Sequence, residues 1–75
     1  MNKDRRKKLR DWNSKIENLK SELEDILSDE QEYYDNIPEN LQYSSRAEDS
    51  ETAIGCLEEA IDIINEVIEK IEEGI

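Results

Sequence analysis

Two stretches of this sequence place apolar residues at intervals that alternate between three and four, which is typical of long helices packed along their length. In the first stretch the stripe is Leu9, Trp12, Ile16, Leu19, Leu23, Ile26, Tyr33 and Ile37, with Glu30 as its one polar member. In the second it is Ala47, Ile54, Leu57, Ile61, Ile64, Ile68, Ile71 and Ile75, with Ser50 as its polar member. The sequence therefore predicts an all-α fold of two helices.

Local signals set the ends of both helices. The first helix closes before Pro38, because proline disfavours helical geometry in the residue before it, and a short turn can then run through Leu41. Ser45–Glu48 has the spacing of a capping box, which starts the second helix, and Gly74 ends it. The prediction is one helical-hairpin domain over residues 1–75, with helix one at about 4–35, a turn at 36–44 and helix two at about 45–73.

The two stripes match each other in an antiparallel hairpin whose turn is centred near residue 40. The predicted layers are Leu9 with Ile71, Trp12 with Ile68, Ile16 with Ile64, Leu19 with Ile61, Leu23 with Leu57, Ile26 with Ile54 and Tyr33 with Ala47. Glu30 and Ser50 fall in one layer, where Glu30 either fixes the register or reaches water near the turn. Trp12, Tyr33 and Tyr43 are predicted to be packing residues.

Helix two carries a second apolar stripe beside the first, which helix one cannot also cover. Its residues are Ala53, Cys56, Ala60, Ile63 and Val67. Leaving Ile63 or Val67 in water forfeits roughly 1.5–3 kcal/mol each. We expect this stripe to bind a second copy and form a dimeric four-helix bundle, with the two second helices antiparallel so that their acidic ends stay apart. A face for a different partner is the main alternative. Cys56 is expected to be a small apolar residue, with oxidation across the seam as the alternative.

Charge is distributed unevenly along the chain, whose net charge is −11. Six of its ten basic residues lie among the first ten positions, with only one of its 21 acidic residues. The basic cluster is Arg5, Arg6, Lys7, Lys8 and Arg10, and an antiparallel hairpin places it beside Glu66, Glu69, Glu72 and Glu73. It is a candidate contact patch for nucleic acid or an acidic partner, but no aromatic or base-reading residues accompany it, so nucleic acid is disfavoured. The acidic remainder favours a basic protein partner.

Residue types needed for catalysis and cofactor binding are missing. The sequence has no His, which excludes His-based triads, and its two glycines form no phosphate loop. The acidic run 28–32 lacks the central glycine of a calcium loop, so we expect a solvated helix face there. The prediction is a protein that is not an enzyme and has no cofactor or metal. With no apolar run long enough for a membrane span and a single Cys, the expected location is the cytoplasm.

The segment around the turn, residues 29–42 (DEQEYYDNIPENLQ), resembles a recurring segment in small phage and prophage proteins of Gram-positive bacteria. In those proteins an acidic helix similar to residues 53–73 follows it. The sequence here departs from them at Tyr43, Ser44 and Ser45, where a glycine often follows the glutamine. The resemblance implies a phage-type accessory protein in a bacterial host, and it carries no activity and no functional residues.

These features favour a helical interaction and oligomerisation module. The alternative is a phage-encoded inhibitor that presents its acidic helix faces to the basic channel of a host defence or nucleic-acid enzyme. High acidity alone does not separate the two hypotheses, because it also favours solubility.

Overall fold

The computed structural model describes residues 1–75 and contains two long antiparallel helices joined by a compact turn. Helix α1 spans Lys3–Asp35, a short 3₁₀ helix spans Glu39–Leu41, and helix α2 spans Ser45–Gly74. The all-α hairpin is confirmed, and each helix end lies within one residue of its predicted position. The Cα atoms fill a volume of 59 × 15 × 12 Å, so the molecule is a rod formed by a single hairpin.

Side-chain caps begin both helices. The Asn2 side chain accepts a hydrogen bond from the Arg5 backbone N–H at 2.9 Å and starts α1. The cap of α2 is Ser44, whose Oγ accepts from the Ala47 N–H at 3.4 Å and donates to the Leu41 carbonyl at 2.6 Å. The predicted cap at Ser45 is therefore wrong by one residue. Ser44 has the extended backbone that a cap requires, whereas Ser45 already belongs to the helix.

The seam that α1 presents to α2 differs from the predicted stripe in every second position. The buried or half-buried residues of this segment are Leu9, Asn13, Ile16, Lys20, Leu23, Leu27, Glu30, Tyr34 and Ile37. Trp12, Leu19, Ile26 and Tyr33 are exposed instead. The shared seam positions Leu9, Ile16 and Leu23 combine with either of two columns, one that begins at Trp12 and one that begins at Asn13. Both combinations keep the alternation of three and four. The structure buries the more polar column, so the prediction that Trp12 and Tyr33 pack inside the hairpin is wrong.

The seam of α2 agrees with its predicted stripe. Ala47, Ser50 and Ile68 are buried, and the stripe residues Ile54, Leu57, Ile61, Ile64, Ile71 and Ile75 are half-buried. This agreement follows from composition, because α2 has only one stripe of large aliphatic residues. No competing column of comparable size was available to replace it.

The register between the helices is shifted by about one helical turn from the predicted one. Lys20 hydrogen-bonds Asn65 across the seam, whereas the predicted register placed Lys20 opposite Ala60. The shift originates at the turn. Ile37 continues the α1 seam beyond the end of the helix and is buried, as is Ala47 on the other side of the turn. The hairpin is therefore centred two residues later than the predicted residue 40.

Several polar side chains lie within the seam. The Lys20 side chain reaches its edge, where Nζ donates to the Asn65 Oδ1 at 3.0 Å. Asn13 and Ser50 are buried, and neither Asn13 Oδ1 nor Ser50 Oγ has a hydrogen-bond partner. Glu30 is half-buried, so it neither lies fully in water nor in a dry core. The seam is therefore less apolar than the column that α1 leaves outside.

Candidate helix-docking face

The two sides of the hairpin differ in chemistry, and contacts between the helices distinguish them. On one side Tyr34 Oη donates to Glu51 Oε1 at 3.3 Å, and Lys20 bonds Asn65. On the other side Tyr33 and Ala53 line the same groove. Residues seven apart on a helix return to nearly the same side. Each of these contacts therefore identifies a whole column of residues along the rod.

The side of Tyr33 and Ala53 is apolar along the rod. We define the apolar face as the α1 column Trp12, Leu19, Ile26 and Tyr33 together with the α2 residues Ala53, Cys56, Ala60, Ile63 and Val67. The α1 side chains are 45%, 58%, 54% and 44% exposed in that order, and Ile63 is 59% exposed. Half-buried Ala53, Ala60 and Val67 adjoin the seam, and Cys56 and Ile63 lie one step further out. Near the turn the groove on this side is also lined by Glu30, Arg46 and Asp49. Isolated apolar residues are ordinary on a protein surface, but neighbouring columns of apolar residues on two packed helices are typical of a binding surface.

The five interface residues predicted from the sequence lie together on this face. Cys56 and Ile63 point outward, as an unpaired stripe requires, while Ala53, Ala60 and Val67 are partly shielded by α1. The α1 column was missed because those residues were assigned to the interior of the hairpin. Its spacing of seven is an available signal, since Trp12, Leu19, Ile26 and Tyr33 recur with no interruption.

The opposite side of the hairpin is acidic. Glu24, Glu58 and Asp62 line one groove there, between the two helices. Glu51 lies further toward the turn, and its negative charge raises the pKa of Tyr34 above the ordinary value of 10.0, with smaller contributions from partial burial and the hydrogen bond. The hairpin is thus amphipathic as a whole, with an apolar face and an acidic one.

The basic cluster lies on the first turns of α1, where Arg5, Arg6, Lys7, Lys8 and Arg10 are all exposed. Arg10 shares a groove with Glu72 at the open end of the hairpin, in line with the predicted proximity of opposite charges. The salt bridge that forms in the molecule lies within α2, between Lys70 and Glu73 at 3.1 Å. The basic side chains form none with α2 and remain available to another molecule.

Other chemical features are few. Cys56 is a free, exposed thiol. No three His, Cys, Asp or Glu side chains are grouped in a way that could hold a metal ion. Neither α1 nor α2 contains a stretch long and apolar enough to cross a bilayer. Tyr43, predicted to be a packing residue, is 95% exposed at the turn, so that prediction is wrong.

The fold and this face define a class of molecule, a two-helix antiparallel hairpin with one apolar side. Comparison with known proteins adds no relative, because no family model, curated protein or solved structure matches the chain.

Proposed function

We propose that this chain is a non-enzymatic helical interaction module, which binds another helical surface through its apolar face. The observation that carries the proposal is the exposure of Trp12, Leu19, Ile26 and Tyr33, which form one column of α1 beside the α2 stripe. Full burial of one large aliphatic or aromatic side chain contributes roughly 1.5–3 kcal/mol. These side chains are about half exposed, so covering each one contributes part of that amount, and the face offers several of them.

The thin core of the hairpin supports the same proposal. Only five of the 75 residues are buried, and two of those are Asn13 and Ser50 with unpaired oxygens. A two-helix rod of this size has little apolar interior from which to gain stability. Association through the apolar face would complete a second core that the single chain lacks. We further propose, from the resemblance of residues 29–42, a phage-type accessory role in the bacterial cytoplasm.

Photo-cross-linking in bacterial cells tests the proposed binding face. Benzoylphenylalanine in place of Leu19 should give protein adducts, because Leu19 lies at the middle of the face and is 58% exposed. The matched control places it at Ser21, which is exposed in the same region of α1 but outside the apolar face. Adducts of any mass that form from Leu19 and not from Ser21 support the proposal. Equal labelling from both positions, or none from Leu19, contradicts it.

The acidic side favours a second function, inhibition of a host defence or nucleic-acid enzyme with a basic channel. Glu24, Glu58 and Asp62 line one groove, on a rod whose Cα atoms extend 15 × 12 Å in cross-section. Binding of this kind would weaken steeply with salt, because exposed charges are screened. A tagged chain that retains a basic host enzyme until roughly 1 M salt, well above the physiological range, would favour this function. Charge reversal to Lys at Glu24 and Glu58 should then abolish the capture.

A further inference from the structure

We infer that the occupant of the apolar face is a second copy of this chain, laid face to face in the opposite direction. The turn of each hairpin then lies at the open end of the other, and the product is a four-helix bundle with α1 against α1 and α2 against α2. This inference rests on the proposed function, since it names the partner for the same face. Its geometry follows from the symmetry of the face, its length and the charge at the two ends of the rod.

The order of residue types along the apolar face is the same in both directions along the rod. The α1 column is aromatic, aliphatic, aliphatic and aromatic in order, as Trp12, Leu19, Ile26 and Tyr33. A twofold axis between Leu19 and Ile26 places the Trp12 ring opposite the Tyr33 ring of the other copy. The register of the hairpin places the same axis between Ala60 and Ile63 on α2, and the small side chain of Ala60 lets the two α2 helices approach closely. Such self-complementarity is what a twofold interface requires.

The face is short enough for a second hairpin to cover it completely. From Trp12 to Tyr33 the α1 column extends over about 32 Å, at 1.5 Å per residue. The Cα atoms of a second hairpin extend over 59 Å, so a second copy covers the face over its whole length.

Charge at the ends of the rod selects the opposed direction. The turn end, residues 29–51, carries eight carboxylates against Arg46 alone. The open end, residues 1–11 with residues 66–75, carries seven basic and six acidic side chains. A dimer with both turns at one end would bring two strongly acidic ends together, whereas the opposed dimer places each beside a nearly neutral end that contains the basic cluster.

The rim of the face has the same polarity. A second row of α1 residues, also spaced by seven, flanks the α1 column on its outer side and consists of Lys8, Lys15, Glu22 and Asp29. With the twofold axis between Leu19 and Ile26, Lys15 of one copy lies beside Asp29 of the other, and Glu22 lies beside its own counterpart. The first turns of α1, which hold the basic cluster, lie beside the acidic turn end of the other copy.

The mass in solution tests the dimer. We expect sedimentation equilibrium to give twice the 8.8 kDa of one chain at micromolar concentration. Ile26→Glu should return the mass of one chain with helicity retained, because Ile26 is already 54% exposed in the hairpin. Ala60→Glu should do the same from α2. The control is Tyr43→Glu. The Tyr43 side chain is more exposed than Ile26 and lies outside the apolar face, so this change should leave the dimer intact.

Each outcome of the mass measurement bears on the inference. A wild-type chain that sediments as a single copy overturns it, and so does an Ile26→Glu variant that stays dimeric with native circular dichroism. If Ile26→Glu loses its helicity, Ala60→Glu provides the test of the interface. A monomer that still gives cross-links from position 19 to other proteins would refute the dimer while leaving the proposed function standing.

The direction of the dimer is tested by a distance between turns. A spin label at Tyr43→Cys, in a Cys56→Ala background, marks the turn of each copy. Pulsed dipolar spectroscopy should give a distance close to the 59 Å length of the rod in the opposed dimer. Turns at the same end would lie within about 30 Å, roughly three helix diameters, and that distance would overturn the inferred direction.

Discussion

Two polar atoms inside the seam limit the stability of the hairpin. Ser50 is 3% exposed, and its Oγ has no hydrogen-bond partner. Replacing it by Ala removes an unsatisfied hydroxyl, keeps nearly the same volume and improves helix propensity. We expect Ser50→Ala to stabilise the chain by about 1 kcal/mol, which would raise the melting temperature by roughly 4–8 °C.

The matched control for this change is Ser21→Ala, which alters an exposed position in a helix and reports the gain in helix propensity alone. Thermal unfolding followed by circular dichroism, at one protein concentration, compares the two variants. If Ser21→Ala stabilises as much as Ser50→Ala, the buried hydroxyl carries no penalty.

The hydrogen bond between Tyr34 and Glu51 predicts a loss of stability at alkaline pH. Glu51 raises the pKa of Tyr34 in the folded chain above the ordinary value of 10.0, because a phenolate beside a carboxylate is unfavourable. The contribution is complete below pH 10 and is lost as the pH rises through the higher folded pKa. Between pH 9 and 11 the melting temperature of wild type should fall further than that of Tyr34→Phe. Tyr43→Phe, at an exposed ring, should follow wild type.

At the level of the helices, the start of α2 depends on Ser44 and not on the neighbouring Ser45. Ser44 accepts from the Ala47 N–H and donates to the Leu41 carbonyl, so it ties the turn to the helix. Loss of such a cap costs about 1 kcal/mol. We expect Ser44→Ala to lower the free energy of unfolding, measured by urea denaturation, by that amount, whereas Ser45→Ala stays within about 0.5 kcal/mol of wild type. A larger loss at Ser45 would restore the capping box predicted from the sequence.

The two helices and their ends were predictable because long periodic stripes and end signals act locally. Pro38 stops α1 by its own geometry, and the 3₁₀ helix then follows. The α2 seam was predictable for a related reason, since a single stripe of large aliphatic residues has no rival. What these features share is that each depends on residues close together in the sequence.

The rotation of α1 was not predictable from its own pattern. Trp12 and Asn13 begin two columns that flank the same shared positions, and hydrophobicity alone favours the column of Trp12. The structure instead buries Asn13 and places both leftover apolar columns on one side of the hairpin. Periodicity within one helix cannot reveal this choice, because the benefit lies in a face shared by two helices.

The predicted register of the two helices was also wrong. A centre at residue 40 would place Ile37 opposite Tyr43, whereas the structure buries Ile37 and Ala47 on the two sides of the turn and leaves Tyr43 exposed. Both errors affected the candidate site. The α2 half of the apolar face was predicted from the sequence, and the α1 half was not. A full assignment needs the position of α1 relative to α2, which is information about tertiary structure.

For the whole molecule, the proposed self-association would link stability to concentration. If unfolding and dissociation occur together, a tenfold rise in protein concentration stabilises the dimer by about 1.4 kcal/mol. Two chains of 75 residues unfold with the entropy of a domain of about 150 residues, so the melting temperature should rise by roughly 3–6 °C per tenfold concentration. Ile26→Glu, which cannot pair its face, should melt at one temperature over the same range. A wild-type melting temperature that is equally independent of concentration would show that the hairpin folds alone, with its apolar face reserved for a different molecule.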